Sequence, residues 1–124
     1  MLQPQRITYL KSRDRRIQVV IMLLERNSRD LIGIDEMARL VNLSQGRLAH
    51  LFKSEMHLSI QQYVTQLRLI KAKGQLESTF LSVKEIAALV GFSSVARFVV
   101  TFKNSVGATP SQYRKTFPGA VRSH

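Results

Sequence analysis

The chain states one pattern twice. Gly33 to Ser44 (GIDEMARLVNLS) reappears as Ser82 to Ser93 (SVKEIAALVGFS). Glu36 pairs with Glu85, Ala38 with Ala87, Leu40 with Leu89 and Val41 with Val90, all 49 positions apart. Further on the spacing becomes 50: Arg47 with Arg97, Phe52-Lys53 with Phe102-Lys103, and Gln62-Tyr63 with Gln112-Tyr113. Each copy reads as a short helix, a tight turn and a second helix. Two such helix-turn-helix units in tandem predict a protein that grips two successive turns of one groove of duplex DNA.

Charge supports that direction. The 124 residues carry 19 Lys+Arg against 8 Asp+Glu, a net charge of +11. A balance that far from neutral favours a polyanionic partner. Membrane surfaces are also polyanionic, but no apolar run approaches the roughly 20 residues of a spanning helix, and the N-terminus lacks the apolar core of a signal peptide. With no cysteine, disulfides and thiolate metal sites are excluded, and a reducing cytoplasm is the expected setting. His50, His57 and His124 are too scattered for a metal cluster, and no cofactor is implied. The length suits one domain, or two very small ones sharing a seam.

Helix starts can be read from their caps. Ser82 with Glu85, Ser59 with Gln62 and Thr109 with Gln112 are capping boxes, in which two side chains satisfy each other's orphan amides. Pro110 falls at the first helical position, where its missing N–H costs nothing. Gly33 with Glu36 is a weaker start. Ile17, Val20, Ile21 and Leu24 form one apolar stripe, with Arg15, Arg16 and Glu25 outside it. The expected fold is all-α, with about seven helices near 14–26, 34–41, 44–55, 60–76, 83–90, 94–105 and 110–116. The first helix-turn-helix subdomain is expected over 14–58, a connecting helix over 59–77 and the second subdomain over 78–118. Flexible basic tails are expected at 1–13 and 119–124. Tyr63, Leu67, Ile70 and Leu76 on the connecting helix are core candidates, and Met22, Met37 and Met56 read as core filler. Gly74 inside that helix marks a bend, a close contact or an early end.

The first candidate recognition helix runs from Ser44 to Lys53. Leu48, Leu51 and Phe52 must point inward. The opposite face then holds Gly46, Ala49, His50 and Lys53, with Gln45 and Arg47 at its edges. Small residues let a helix sink into the major groove, Gln and His can bond base edges, and Arg and Lys can reach guanine or phosphate. In an isolated helix this would be an ordinary solvated face. The repeat and the charge favour the binding reading.

The second candidate, Ser94 to Lys103, turns Phe98, Thr101 and Phe102 inward and presents Ala96, Val99, Val100 and Lys103. That face is nearly apolar. Either its valines belong to the core, or they touch thymine methyl groups, or they meet a protein partner. Catalysis has no foothold. Asp35 and Glu36 suit a helix N-terminus, His50 has no acidic partner, and no phosphate loop or nucleophile set is present.

These residues resemble a known family. Ile34 to Ala38, Leu43-Ser44, Leu48 and Phe52-Lys53 are similar to the first helix-turn-helix of AraC/XylS-type bacterial transcription regulators. Ile86-Ala87, Gly91 to Ser93, Phe98, Phe102-Lys103, Gly107, Thr109-Pro110 and Tyr113-Arg114 resemble the second, and Tyr63, Arg68-Leu69 and Ala72 fit the joining segment. The likeness covers about residues 14–116. It implies seven helices, two DNA-reading units on one long helix, and control of transcription, by family habit as an activator. It implies DNA contacts from Gln45, Gly46, Arg47, Ala49, His50 and Lys53, and from Val95, Ala96, Val99, Val100 and Lys103. Members often carry polar or basic residues where this chain has Val99 and Val100. Many members also carry a ligand-sensing domain, and no small-molecule ligand is expected in this segment. RNA polymerase subunits are further candidate partners. The competing readings are a protein-interaction module that uses Val99 and Val100, and a non-specific architectural DNA binder.

Overall fold

A computed structural model describes residues 12–30 and 32–117. The expected tail 119–124 and most of the expected leader lie outside these. Among the described residues there are seven helices and no strand. They are α1 (Arg15–Arg26), α2 (Ile34–Leu40), α3 (Gln45–Met56), α4 (Ile60–Ser78), α5 (Val83–Val90), α6 (Val95–Val106) and α7 (Pro110–Lys115). The all-α expectation and the helix count hold, with ends within about two residues of those read from caps and apolar stripes.

The caps explain that agreement. Asp14 accepts a hydrogen bond from the Arg16 amide at 2.9 Å to open α1. The Arg16 guanidinium donates to the same carboxyl and holds it below the usual carboxylate range, against the opposing effect of burial. Ser59 and Gln62 exchange bonds of 2.8 and 3.1 Å at the start of α4. Ser82 and Glu85 do so at α5, and Thr109 and Gln112 at α7, with Pro110 in the first turn. The Ser82 amide, and then its hydroxyl, lower the Glu85 pKa. Gly33 opens α2 with no side-chain bond.

The described chain divides into two compact units between Leu67 and Arg68. In the first, Ile17, Val20, Ile21 and Leu24 of α1 pack with Met37, Ala38, Leu48, Phe52, Tyr63, Val64 and Leu67. In the second, Leu69, Ala72 and Leu76 pack with Ile86, Ala87, Val90, Phe98 and Phe102. Thus α4 supplies side chains to both cores. Met37 and Met56 are buried, but Met22 is 38% exposed and is no core filler. It sits one residue, about 100° of helix, beyond Ile21 and so leaves the buried stripe. Ile70 is half-buried and joins neither buried cluster; Leu69 and Ala72 take the place expected of it. Gly74 neither ends α4, which runs to Ser78, nor meets a close neighbour, since a Cβ there would find nothing within 4 Å.

The repeat is deeper than the motif that revealed it. The Tyr63 hydroxyl donates to Glu25 at 3.0 Å, and that of its counterpart Tyr113 to Glu77 at 2.5 Å. Tyr63 stands edge-on to Phe52 with centroids 5.8 Å apart, and Tyr113 edge-on to Phe102 at 5.5 Å. In the second unit Arg114 also donates to the carbonyls of Leu76 and Thr79, both at 3.1 Å, closing the C-terminal end of α4.

Candidate nucleic-acid interface

The turn of each helix-turn-helix is built the same way. At the end of α2 the Leu43 amide reaches back to the Ala38 carbonyl at 2.9 Å, with Asn42 left-handed at φ 60°. At the end of α5 the Phe92 amide reaches the Ala87 carbonyl at 2.9 Å, with Gly91 at φ 105°. This six-to-one closure with a left-handed residue is how a helix reverses sharply. In the second unit α5 and α6 are bent by 87°, close to the near-perpendicular setting of a DNA-binding pair.

Buried anchors then fix the rotation of each second helix. Ser44 caps α3 by accepting from the Arg47 amide at 3.2 Å, and Leu48 and Phe52 are fully buried. Gln45, Gly46, Arg47, Ala49, His50 and Lys53 are consequently all exposed. A Cβ on Gly46 would meet nothing within 4 Å, so the helix backbone itself is open there. Ser94 caps α6 through the Arg97 amide at 3.1 Å, and Phe98 and Phe102 are fully buried. Ala96, Arg97, Val100 and Lys103 are exposed, while Val99 is half-buried. Val95 is half-buried too and packs against the second core. Val100 is 58% exposed, which rules out a core role for that side chain.

The two faces correspond position for position. Gly46 matches Ala96, Ala49 matches Val99, His50 matches Val100, and Lys53 matches Lys103. The first face offers imidazole, amide and guanidinium groups; the second offers methyl groups between Arg97 and Lys103.

One contributor escaped the sequence reading. Arg16 of α1 lines an open groove of about 460 Å³ together with Ser44, Gly46, Arg47 and His50. Its guanidinium is oriented by Asp14, with Nη2 2.9 Å from Oδ2. The signal available beforehand was only that Arg16 lay outside the apolar stripe of α1. A second groove of about 510 Å³ carries Ala49 and Lys53 on a lining otherwise rich in Ile32, Ile34, Met37 and Ile60. Among the described residues no group of three or more His, Asp or Glu is placed to hold a metal ion. No single helix there is long and apolar enough to cross a membrane.

Known proteins share this arrangement. A helix-turn-helix domain family matches residues 37–116. The HTH-type transcriptional regulator GbdR of Pseudomonas aeruginosa is 34% identical over 103 residues, covering 83% of this chain and 28% of that protein. The melibiose operon regulatory protein of Escherichia coli is 34% identical over 110 residues, covering 83% and 36%. The chain spans about a third of the length of these curated relatives. A transcriptional regulator with an AraC-type DNA-binding domain from Chromobacterium violaceum superposes with a TM-score of 0.77 at 28% identity, covering 85% of this chain and 94% of that one. The C-terminal domain of the response regulator yesN from Fusobacterium nucleatum gives 0.67 at 35% identity, covering 79% and 93%. The DNA-binding domain of AdpA, solved with a target DNA, shares the fold with a TM-score of 0.75 at 22% identity, covering 82% and 92%. With its two helix-turn-helix units and these relatives, the chain belongs to the helix-turn-helix family of AraC-type DNA-binding domains.

Proposed function

We propose that the chain binds duplex DNA sequence-specifically and regulates transcription, as an activator that works through RNA polymerase subunits in the bacterial cytoplasm. The observation that carries this reading is the shared register of the two exposed helix faces, each set by two fully buried anchors and flanked by cations. Gln45, Gly46, Arg47, Ala49, His50 and Lys53 would enter the major groove from α3. Val95, Ala96, Val99, Val100 and Lys103 would enter from α6, with Val95 and Val99 half-buried. Arg16 would add a phosphate contact beside the first helix. The chemistry is recognition rather than catalysis: hydrogen-bonding side chains read base edges, and cations set register on the backbone. The relatives that are transcriptional regulators, and the one named for the melibiose operon, support the regulatory part.

Selection of bound sequences from a random duplex pool tests this reading. A recovered motif is expected. Retention without any motif would leave a non-specific architectural binder, and no retention even at low salt would leave a protein-interaction module.

A further inference from the structure

The second unit presents an apolar surface in the register where the first presents hydrogen-bonding groups. Val100 stands 58% exposed at the position of His50, with exposed Ala96 one turn before it and half-buried Val99 beside it. The rotation of α6 is locked by Phe98 and Phe102, both fully buried, and by the Ser94 cap. Val100 therefore cannot turn inward without unpacking the second core. Exposed Arg97 and Lys103 lie on the same helix on either side of Val100.

We propose that α6 reads the C5-methyl groups of thymine, so that the half-site under the second unit is recognised by methyl contact rather than by hydrogen bonding. The inference rests on the DNA-binding reading above. Several features choose DNA as the occupant. The flanks of the patch, Arg97 and Lys103, are cationic in a chain of net charge +11, which matches a phosphate backbone. Its register is that of a second face carrying base-reading groups. In the major groove only thymine presents a methyl group, beside its O4 acceptor, whereas the donors and acceptors of guanine, adenine and cytosine come with no methyl group for valine to meet. A guanine or cytosine edge pressed against Val100 would lose water without gaining a bond. A thymine methyl there loses nothing and is itself buried. One methyl group removed from water corresponds to a factor of about four in affinity.

The test replaces thymidine by deoxyuridine, which lacks only that methyl group, in a duplex recovered by random-pool selection. The chain has no cysteine, so Asn104→Cys carrying an iron chelate identifies by DNA cleavage which half lies under α6. Uracil in that half is expected to weaken binding about fourfold for each methyl contacted, and uracil in the other half to change little. Val100→Ala is expected to weaken binding of the thymine duplex and to shrink the thymine–uracil difference. Val100 is largely exposed, so this variant should keep the wild-type melting temperature, which is checked alongside. Equal affinity for thymine and uracil duplexes would overturn the proposal while leaving the DNA-binding reading intact. Full thymine preference in Val100→Ala would overturn the assignment to this residue. So would unchanged DNA binding by Val100→Ala with lost activation in a reconstituted transcription reaction, which would make the surface a protein contact. Failure to retain any duplex would sink the broader reading first.

Discussion

Among the described residues four hold left-handed backbone, and the repeat pairs them. Asn42 at φ 60° corresponds to Gly91 at 105°, and His57 at 63° to Gly107 at 93°. They end α2, α5, α3 and α6, respectively. Glycine takes this conformation freely, whereas an L-residue with a Cβ is disfavoured by about 1–2 kcal/mol. Asparagine and histidine are among the residues that tolerate it best. The first unit therefore carries local strain that the second lacks. His57→Gly is expected to stabilise the first unit by about 1 kcal/mol, and Gly107→Ala to destabilise the second by about the same amount. A Cβ on Gly107 would meet nothing within 4 Å, so its cost is purely conformational. Urea denaturation of the two variants measures both; a neutral Gly107→Ala would contradict the argument. The turns themselves were legible from the repeat. Their strain was not, because neither Asn42 nor His57 announces its φ in the sequence.

At the scale of elements, helix starts were readable because capping boxes are local: Ser59 with Gln62, Ser82 with Glu85 and Thr109 with Gln112 each act across three residues. Contacts between elements were not. Tyr63 meets Glu25 across 38 positions, and Tyr113 meets Glu77 across 36. Nothing in a single sequence pairs residues so far apart, and Arg16 was missed as a groove residue for the same reason. Met22 was misjudged from its residue type, although its place outside the apolar stripe was visible. The tyrosine pairs carry a pH signature. Burial, first, and then the neighbouring carboxylate push both phenols above their ordinary value. The folded chain thus keeps protons that the unfolded chain releases above about pH 10. Their stabilisation is complete below that pH and is lost as pH rises above it. Thermal melts from pH 8 to 11 should show Tm falling above pH 10. Tyr63→Phe should cost about 1 kcal/mol at neutral pH and flatten the alkaline decline. A variant with the same alkaline decline as the parent would show that Tyr63 is not its source.

For the whole molecule, the net charge of +11 sets how binding responds to salt. If about 6–10 phosphates are contacted, affinity should fall by roughly 10³–10⁵ between 50 and 200 mM salt. Arg16→Ala should weaken binding almost uniformly across sequences and lower the logarithmic salt slope by about one. A flat titration would remove the electrostatic basis of the account. The family, the helix count and the outward residues of α3 were open to sequence reading because buried Leu48 and Phe52 fix their phase. Phe98 and Phe102 placed Val100 outward in the same way, but hydropathy alone left a core role for the valines open, and only the structure separates exposed Val100 from half-buried Val99.

The central claim is that both second helices read DNA and that they do so unequally. A good bidentate hydrogen bond discriminates bases by about 1–3 kcal/mol, more than a methyl contact can supply. Two unlike units in tandem on one chain need no twofold axis, so one monomer should occupy a non-palindromic site whose halves centre about 10 base pairs apart. The direct measurement is a set of binding isotherms on the selected site with each half mutated in turn. The account predicts that both sets of changes weaken binding, and that those under α3 cost more than those under α6. Sensitivity confined to one half, or a half under α6 that discriminates as strongly as its partner, would contradict it.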